Sequence, residues 1–192
     1  MKSGTPQTWR VWRILAGAAL LAGLVAATCE RAGAAAPREY QIKAVFLFNF
    51  AKFIEWPAEV FKGDAPFSIC ILGTDPFGES LDILVSKQVV QGRSIIAHRF
   101  TDLGARPTCH ILFVNNTSGK PSLEAVFADL GPAPILTVGD HENFTQQGGC
   151  LRFFIAEDRV RFEISLKALE RSRLKASSRL LSVARLTEKS GK

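Results

Sequence analysis

Apolar positions first become dense in residues 39–57, EYQIKAVFLFNFAKFIEWP, where they recur with helical spacing. Lys43 is expected away from the centre of the apolar face. Pro57 disfavours helical geometry at the residue before it, so the helix should end near Trp56. We expect a buried core helix, with Phe48 and Trp56 as candidates for contact with a partner protein. The predicted apolar face comprises Ile42, Val45, Phe46, Phe50 and Phe53.

Short apolar runs alternate with amphipathic segments along the rest of the chain. The runs at Leu151–Ala156 and Arg159–Ile164 alternate apolar and polar residues, which indicates a β-hairpin. Ser165 is expected to cap a final helix to about Leu186, with a break at Ser177-Ser178 as the alternative. The other predicted strands are Phe67–Gly73, Ser94–Arg99, Cys109–Val114 and Pro134–Val138, and the other predicted helices are Glu79–Ser86 and Ser122–Leu130.

Strands that alternate with helices predict an α/β fold with a mostly parallel sheet covered by helices on both faces. The terminal hairpin makes this a mixed sheet of about six strands, followed by a C-terminal helix. The chain of 192 residues contains no internal repeat or low-complexity linker after its leader. We therefore expect a single domain over residues 35–192.

The N-terminus has the features of a secretory signal peptide. Arg10 and Arg13 precede the apolar run Ile14–Ala27, which is too short to span a bilayer comfortably. Small residues ending at Ala34 predict cleavage there, so residues 1–34 are expected to be removed on export to the periplasm. Lipidation at Cys29 is the alternative, although the residues before it match a lipoprotein site poorly.

Charge gives little support to nucleic-acid binding. The chain carries a net +6, but residues 1–34 contain four basic residues and one acid, which leaves +3 for the remainder. Its basic residues are interspersed with acids until the last predicted helix, where a cluster is expected to form a solvated face.

Residue types with catalytic or metal-binding chemistry do not form a recognisable motif. His98, His110 and His141 lie on or near separate predicted elements, so they are not expected to share a metal. Cys109 and His110 are neighbours on one strand, and their side chains should point to opposite faces. We predict no catalytic residue, cofactor site or metal site, and the pattern favours binding or sensing.

The cysteines indicate one disulfide. Without Cys29 the exported chain keeps Cys70, Cys109 and Cys150, and an odd count in an oxidising compartment suggests one bridge and one remaining thiol. In the common doubly wound strand order, the strand of Cys70 neighbours that of Cys109. A bridge between these two is expected, with two buried thiols as the alternative, and Cys150 is then a free or intermolecular thiol.

Several long motifs, in this order, resemble the YfiR family of exported bacterial proteins. They are EYQIKAVFLFNFAKFIEWP, ICILGTDPFGESLD, CHILFV, PILTVGD, the GGCLRF…RVRFEIS hairpin and LKASSRLLSVAR. The resemblance implies a periplasmic regulator without catalytic activity that represses an inner-membrane diguanylate cyclase by binding its periplasmic part. Cyclic-di-GMP signalling and biofilm formation are the implied outputs.

The resemblance also implies further partners and a role for the cysteines. YfiR-like proteins look dimeric, and an outer-membrane lipoprotein relieves their repression. Cys70 and Cys109 match the family's cysteine pair, which is taken to be a disulfide. Some relatives have a second pair near the position of Cys150, but this chain has Cys150 alone there.

A second function is a periplasmic small-molecule binding or sensory module that acts on another membrane receptor, such as a histidine kinase. A doubly wound sheet offers a crevice at the carboxyl ends of its strands. Here Gly73–Phe77 and Asn115–Gly119 are expected to line that crevice.

Overall fold

The fold is built on an eight-stranded mixed sheet. The computed structural model describes residues 37–115 and 120–187; the expected signal peptide, Cys29 and the cleavage site near Ala34 lie outside these residues. The strands are β1 Ile54–Glu55, β2 Phe67–Gly73, β3 Val89–Val90, β4 Arg93–Phe100, β5 Ile111–Asn115, β6 Leu136–Gly139, β7 Leu151–Ala156, β8 Arg159–Ile164, β9 Lys175–Ala176 and β10 Arg185–Leu186. The helices are α1 Arg38–Phe53, α2 Glu79–Val85, α3 Leu123–Leu130, α4 Leu166–Arg171 and α5 Ser178–Leu181.

The sheet has the order β10-β8-β7-β6-β5-β2-β4-β3, and β1 and β9 form a separate two-stranded sheet. Strand β2 pairs in parallel with both β4 and β5, and β5, β6 and β7 continue in parallel. The β7–β8 hairpin is antiparallel, as is the β3–β4 pair. The predicted α/β class is confirmed. The edge strands β3 and β10 add to the predicted set, because a pair of residues is too short to show a strand period.

The apolar run of β2 is explained by its position, since helices and loops cover both faces of the sheet. Ile69 and Ile71 belong to the larger core, which includes the inner face of α1. Leu72 belongs to a second core on the opposite face, together with residues of α3 and with Phe144. A Cβ atom on Gly149 would lie 2.1 Å from the Phe144 ring, so glycine is required for this close packing.

A disulfide joins Cys70 of β2 to Cys109, which lies two residues before the start of β5. The sulfur atoms of Cys70 and Cys109 are 1.98 Å apart and the Cα atoms 5.8 Å apart, across the adjacent strands expected from the doubly wound order. Both cysteines are buried in the second core. The bond therefore connects the centre of the sheet to the chain that leads into its next strand.

The buried face of α1 differs from the prediction. Phe50 is fully buried as expected, but Ile42 and Val45 are 40% and 46% exposed, and Lys43 is only 2% exposed. The expectation for these three residues was wrong because apolar side chains surround much of this helix, so hydrophobic spacing alone did not select one face. The helix also ends earlier than expected, at Phe53, because the next two residues form strand β1, which is extended and pairs with β9. The residues of α1 that are buried are Lys43, Ala44, Leu47, Phe50 and Ala51.

The predicted final helix is broken into shorter elements. Ser165 does cap α4, accepting a hydrogen bond from the Ala168 amide, but that helix ends at Arg171. Arg173 has a positive φ of 55°, which a continuous helix does not allow. Strand β9 then pairs with β1, and Ser177 caps the short helix α5. Among the apolar residues of this segment, Leu169, Leu174 and Leu180 are buried, whereas Leu166 and Val183 are exposed.

Removal of the disulfide should lower the free energy of unfolding, because the bond closes a loop with a sequence separation of 39. In the chain-entropy model, the Cys70→Ala/Cys109→Ala variant loses about 4 kcal/mol relative to the oxidised protein. Urea denaturation measures this loss. Cys150→Ala, which removes one buried sulfur but no cross-link, is the control. Equal stability of the double variant and the control would contradict the prediction.

Candidate interaction surface

The two aromatic residues proposed for partner contact have different environments. Trp56 is 8% exposed and packs edge-on against Phe67, with ring centroids 5.2 Å apart. Phe48 is half-buried, and the Lys52 ammonium group lies 5.2 Å from its ring centroid. The structure therefore does not bring them together on one surface: Trp56 belongs to the core, and Phe48 keeps part of its ring accessible.

An exposed stripe runs along α1 opposite its buried face. It carries three apolar side chains and two polar ones, and their helical spacing places all five on one side of the helix. Ile42 and Val45 are its most exposed apolar residues. We call this surface the α1 outer stripe, and it consists of Ile42, Val45, Phe48, Asn49 and Lys52.

The orientation of α1 depends on a buried lysine. The Lys43 Nζ atom lies 2.6 Å from a carboxylate oxygen of Glu39 and 2.7 Å from one of Asp140. Tyr40 donates its hydroxyl hydrogen to the same Asp140 oxygen at 2.9 Å, and its ring centroid lies 4.2 Å from the ammonium group. Burial, and then the Asp140 charge, raise the pKa of Tyr40, so its hydroxyl keeps its proton. Asp140 directly follows β6, so the network binds α1 to the carboxyl end of the sheet.

A second buried charge holds the C-terminal strand. The Glu163 carboxylate on β8 accepts hydrogen bonds from Arg152 and Thr145, each at 2.7 Å, and from Arg185 on β10. Burial by itself would raise the pKa of Glu163, but these donors outweigh it and lower the pKa to about 2. The ion pairs therefore keep Glu163 ionised and connect the edge strand β10 to the sheet.

The remaining thiol lies inside the protein. Cys150 is 1% exposed, and among the described cysteines it is the one outside a disulfide. Its backbone amide donates to the Thr137 hydroxyl at 2.9 Å. Burial raises the pKa of the Cys150 thiol, so it stays protonated and its sulfur is shielded from another chain in this conformation.

The expected crevice at the carboxyl ends of the strands is filled where the structure describes it. Phe77 is fully buried and packs edge-on against Phe113 and Tyr40. Asn115 donates its side-chain amide hydrogen to the Thr74 carbonyl at 2.7 Å, which closes the gap between the two strand ends. The rest of the expected lining, residues 116–119, lies outside the described residues.

Residues 37–115 and 120–187 contain neither a cluster of metal ligands nor a helix able to cross a membrane. Within those ranges, no group of three or more His, Cys, Asp or Glu side chains is arranged to hold a metal ion. None of the helices in the same ranges combines the length and the hydropathy needed to cross a membrane.

A comparison with protein families indicates where the chain belongs. A family model described as YfiR/HmsC-like matches residues 40–185, which run from the first turn of α1 to β10. No curated protein matches the chain. The matched range includes the disulfide, the whole α1 outer stripe and the Lys43 network apart from Glu39, so these features lie in the part of the chain that matches the family.

Removing a partner of the buried Lys43 ammonium group should lower the free energy of unfolding. Asp140→Asn leaves the buried ammonium group with the partly exposed Glu39 as its remaining carboxylate, and we expect a loss of about 2–4 kcal/mol in the free energy of unfolding. Glu59→Gln is the matched control, because its ion pair with Arg173 is largely exposed and should contribute at most about 1 kcal/mol. Urea denaturation compares the two variants, and a smaller loss in Asp140→Asn than in Glu59→Gln would contradict this interpretation.

The lowered pKa of Glu163 predicts how the free energy of unfolding depends on pH. Its pKa is lowered on folding from 4.5 to about 2, so its stabilising contribution is complete above about pH 4.5 and is lost as the pH falls towards about 2. Glu163→Gln removes the titration, and its free energy of unfolding should fall less steeply over that window than that of the wild type. Chemical denaturation at a series of pH values measures both slopes, and Glu157→Gln in the exposed hairpin turn is the control.

Proposed function

Because this chain belongs to the YfiR/HmsC-like family, we propose that it represses an inner-membrane diguanylate cyclase by binding the periplasmic part of that enzyme. Family membership indicates a periplasmic regulator of cyclic-di-GMP signalling, and the match over residues 40–185 is the observation that carries the proposal. The buried disulfide supports a location in an oxidising compartment. The proposal includes export with removal of residues 1–34 and a single mature domain, residues 35–192.

The α1 outer stripe is the proposed contact surface. Ile42 and Val45 expose apolar side chains that the protein's own core does not cover, and Phe48 adds part of an aromatic ring. Aromatic and aliphatic side chains at the centre of an interface commonly supply most of its binding free energy. The buried Lys43 network supports the stripe from below, so a partner meets a preorganised helix. Trp56, held in the core, acts here as support and not as a contact.

Repression requires the regulator to bind one state of the cyclase more tightly than the other. The shift of the cyclase between inactive and active states equals the difference between the two binding free energies. About 5.5 kcal/mol of differential affinity moves such an equilibrium from 1:99 to 99:1. No bond in a substrate is made or broken, and the protein acts through contact alone. An outer-membrane lipoprotein that binds the regulator would release the cyclase, and a homodimer would present the stripe twice.

A second candidate function is a periplasmic sensory module that binds a small molecule and acts on another membrane receptor, such as a histidine kinase. The observation that favours it is a cleft at the amino ends of β2 and β5 that contains the buried imidazole of His110. Such a cleft suits a protein that regulates a diguanylate cyclase as well as one that regulates a histidine kinase. Isolation of the protein with a cyclase or with a kinase distinguishes the two functions.

Charge placed in the α1 outer stripe should relieve repression. In the host bacterium, we expect Val45→Asp to raise cyclic-di-GMP towards the level of a deletion strain, because the carboxylate would be desolvated at the interface. Val89→Asp is the matched control, since Val89 is 60% exposed on the edge strand β3 and is not part of the α1 outer stripe. Mass spectrometry measures cyclic-di-GMP, and immunoblots verify equal amounts of each variant.

Affinity purification from membranes in mild detergent supplies the second measurement. A diguanylate cyclase should be recovered with the wild type and with Val89→Asp, but much less with Val45→Asp. Unchanged cyclic-di-GMP in the deletion strain would rule out the repressor function. Equal recovery of the cyclase with all variants would place the contact elsewhere on the protein.

A further inference from the structure

A small cleft opens at the amino ends of β2 and β5, away from the α1 outer stripe. Its volume is about 250 Å³, somewhat below the range of about 300–1,000 Å³ typical of pockets for drug-sized ligands. Phe61 and Lys62, from the loop before β2, form one wall, and Ile96 of β4 lies among the apolar lining. Ser68 and His110 close the inner end. The cleft is therefore sized for a compact small molecule.

His110 brings a buried hydrogen-bond donor to this cleft. Its imidazole is 3% exposed, and its Nδ1 atom accepts a hydrogen bond from the Ser68 amide at 3.0 Å. That bond assigns the ring hydrogen to Nε2. Burial, and then the charge of Arg93, lower the pKa of His110, so the ring is neutral. Within the described residues Nε2 has no hydrogen-bond partner, which is costly for a buried donor.

The surroundings of the ring determine which of its edges meets the cleft. Phe61 stacks on the imidazole with a centroid distance of 5.3 Å, and Phe67 stacks on it at 4.5 Å. Because both faces and Nδ1 are occupied, the part of His110 that can line the cleft is the edge that carries Nε2. An occupant must therefore bring a hydrogen-bond acceptor to that edge.

The rim of the cleft is positively charged. Lys62 is exposed and lines it, and the Arg93 guanidinium lies 5.2 Å from the Phe61 ring centroid and donates to the Ala65 carbonyl at 2.7 Å. Asp64, on the same loop, is exposed and is not part of the lining. A neutral donor at the inner end, apolar walls and cations at the rim together match an anion with a flat apolar body.

We propose that this cleft binds a small organic acid, whose carboxylate accepts the Nε2 hydrogen of His110 and pairs with Lys62. The apolar body of the ligand lies between Phe61 and Ile96. Because Nε2 is shielded from solvent, entry requires the exposed side chain of Lys62 to move outward, while Phe61 stays stacked on the imidazole. The site is separate from the proposed cyclase contact and does not depend on it. Phe67 touches both His110 and Trp56, so the cleft lies one aromatic ring away from the segment that follows α1.

Phenylacetate is a suitable probe, and neutral phenylacetamide is its matched control. The isotope-labelled protein, exported and purified from the periplasm, is titrated with each compound by NMR. We expect phenylacetate to shift the His110 Nε2–H signal and the amide signals of Ser68 and Thr108. Phenylacetamide should bind about tenfold more weakly, because it lacks the charge that Lys62 recognises.

Three variants test the assigned contacts by their dissociation constants. Lys62→Gln and His110→Asn should each weaken phenylacetate binding about tenfold, since the asparagine carbonyl can still accept from Ser68 but the Nε2 donor is lost. Lys167→Gln removes an exposed lysine on α4 and should bind as the wild type does. Circular dichroism verifies that each variant is folded. If His110→Asn does not fold, the dissociation constants of Lys62→Gln and Lys167→Gln for phenylacetate test the proposal by themselves. Absence of shifts at about 10 mM probe, equal binding of phenylacetamide, or equal affinities of the two lysine variants would overturn the proposal.

Discussion

A buried ammonium group determines which side of the first helix faces the solvent. Lys43 is tolerated in the interior because Asp140 and Glu39 neutralise its charge and the Tyr40 ring covers it. Rotating α1 to bury Ile42 and Val45 would separate these charges, and breaking a buried ion pair costs about 3–5 kcal/mol. Fully burying one such side chain is worth about 1.5–3 kcal/mol, and because Ile42 and Val45 are already more than half buried, the two together would return only about 1.3–2.6 kcal/mol. The free energy of the ion pair therefore outweighs that of burying the apolar side chains, which stay exposed and form the proposed contact surface.

The remainder of the structure makes that surface rigid. Strand β2 lies between two parallel neighbours and is buried on both faces, and the Cys70–Cys109 bond joins it to the chain that enters β5. At the other side of the sheet, the Glu163 carboxylate brings β8 and β10 together. A protein that acts by contact gains affinity when its surface is already ordered, since little conformational entropy is lost on binding. The scaffold and the proposed repressor function are consistent in this respect.

The two proposed sites suit different kinds of ligand. The α1 outer stripe exposes apolar side chains on the surface of a helix, as suits another protein, whereas the cleft beside His110 is small and charged at its rim, as suits an organic acid. Trp56 and His110 both pack against Phe67, so the two regions share one aromatic cluster. A ligand in the cleft would act on the cyclase contact only if it favoured one arrangement of this cluster. The two proposals can therefore succeed or fail independently.

Local patterns in the sequence determined the six longer strands of the sheet, the hairpin, the Ser165 cap and the α/β class, because side-chain period and turn chemistry act over a few residues. Strand order then made the Cys70–Cys109 bond predictable, and the motifs indicated the family. Only the tertiary structure decided the buried face of α1, the core position of Trp56, the breaks in the last helix and the unpaired donor of His110. Each of these depends on partners distant in sequence: Lys43 and Asp140 are 97 residues apart, and Ser68 and His110 are 42 apart. Hydrophobic spacing contains no information about such pairs, and the free energy that they contribute exists only after the chain has folded.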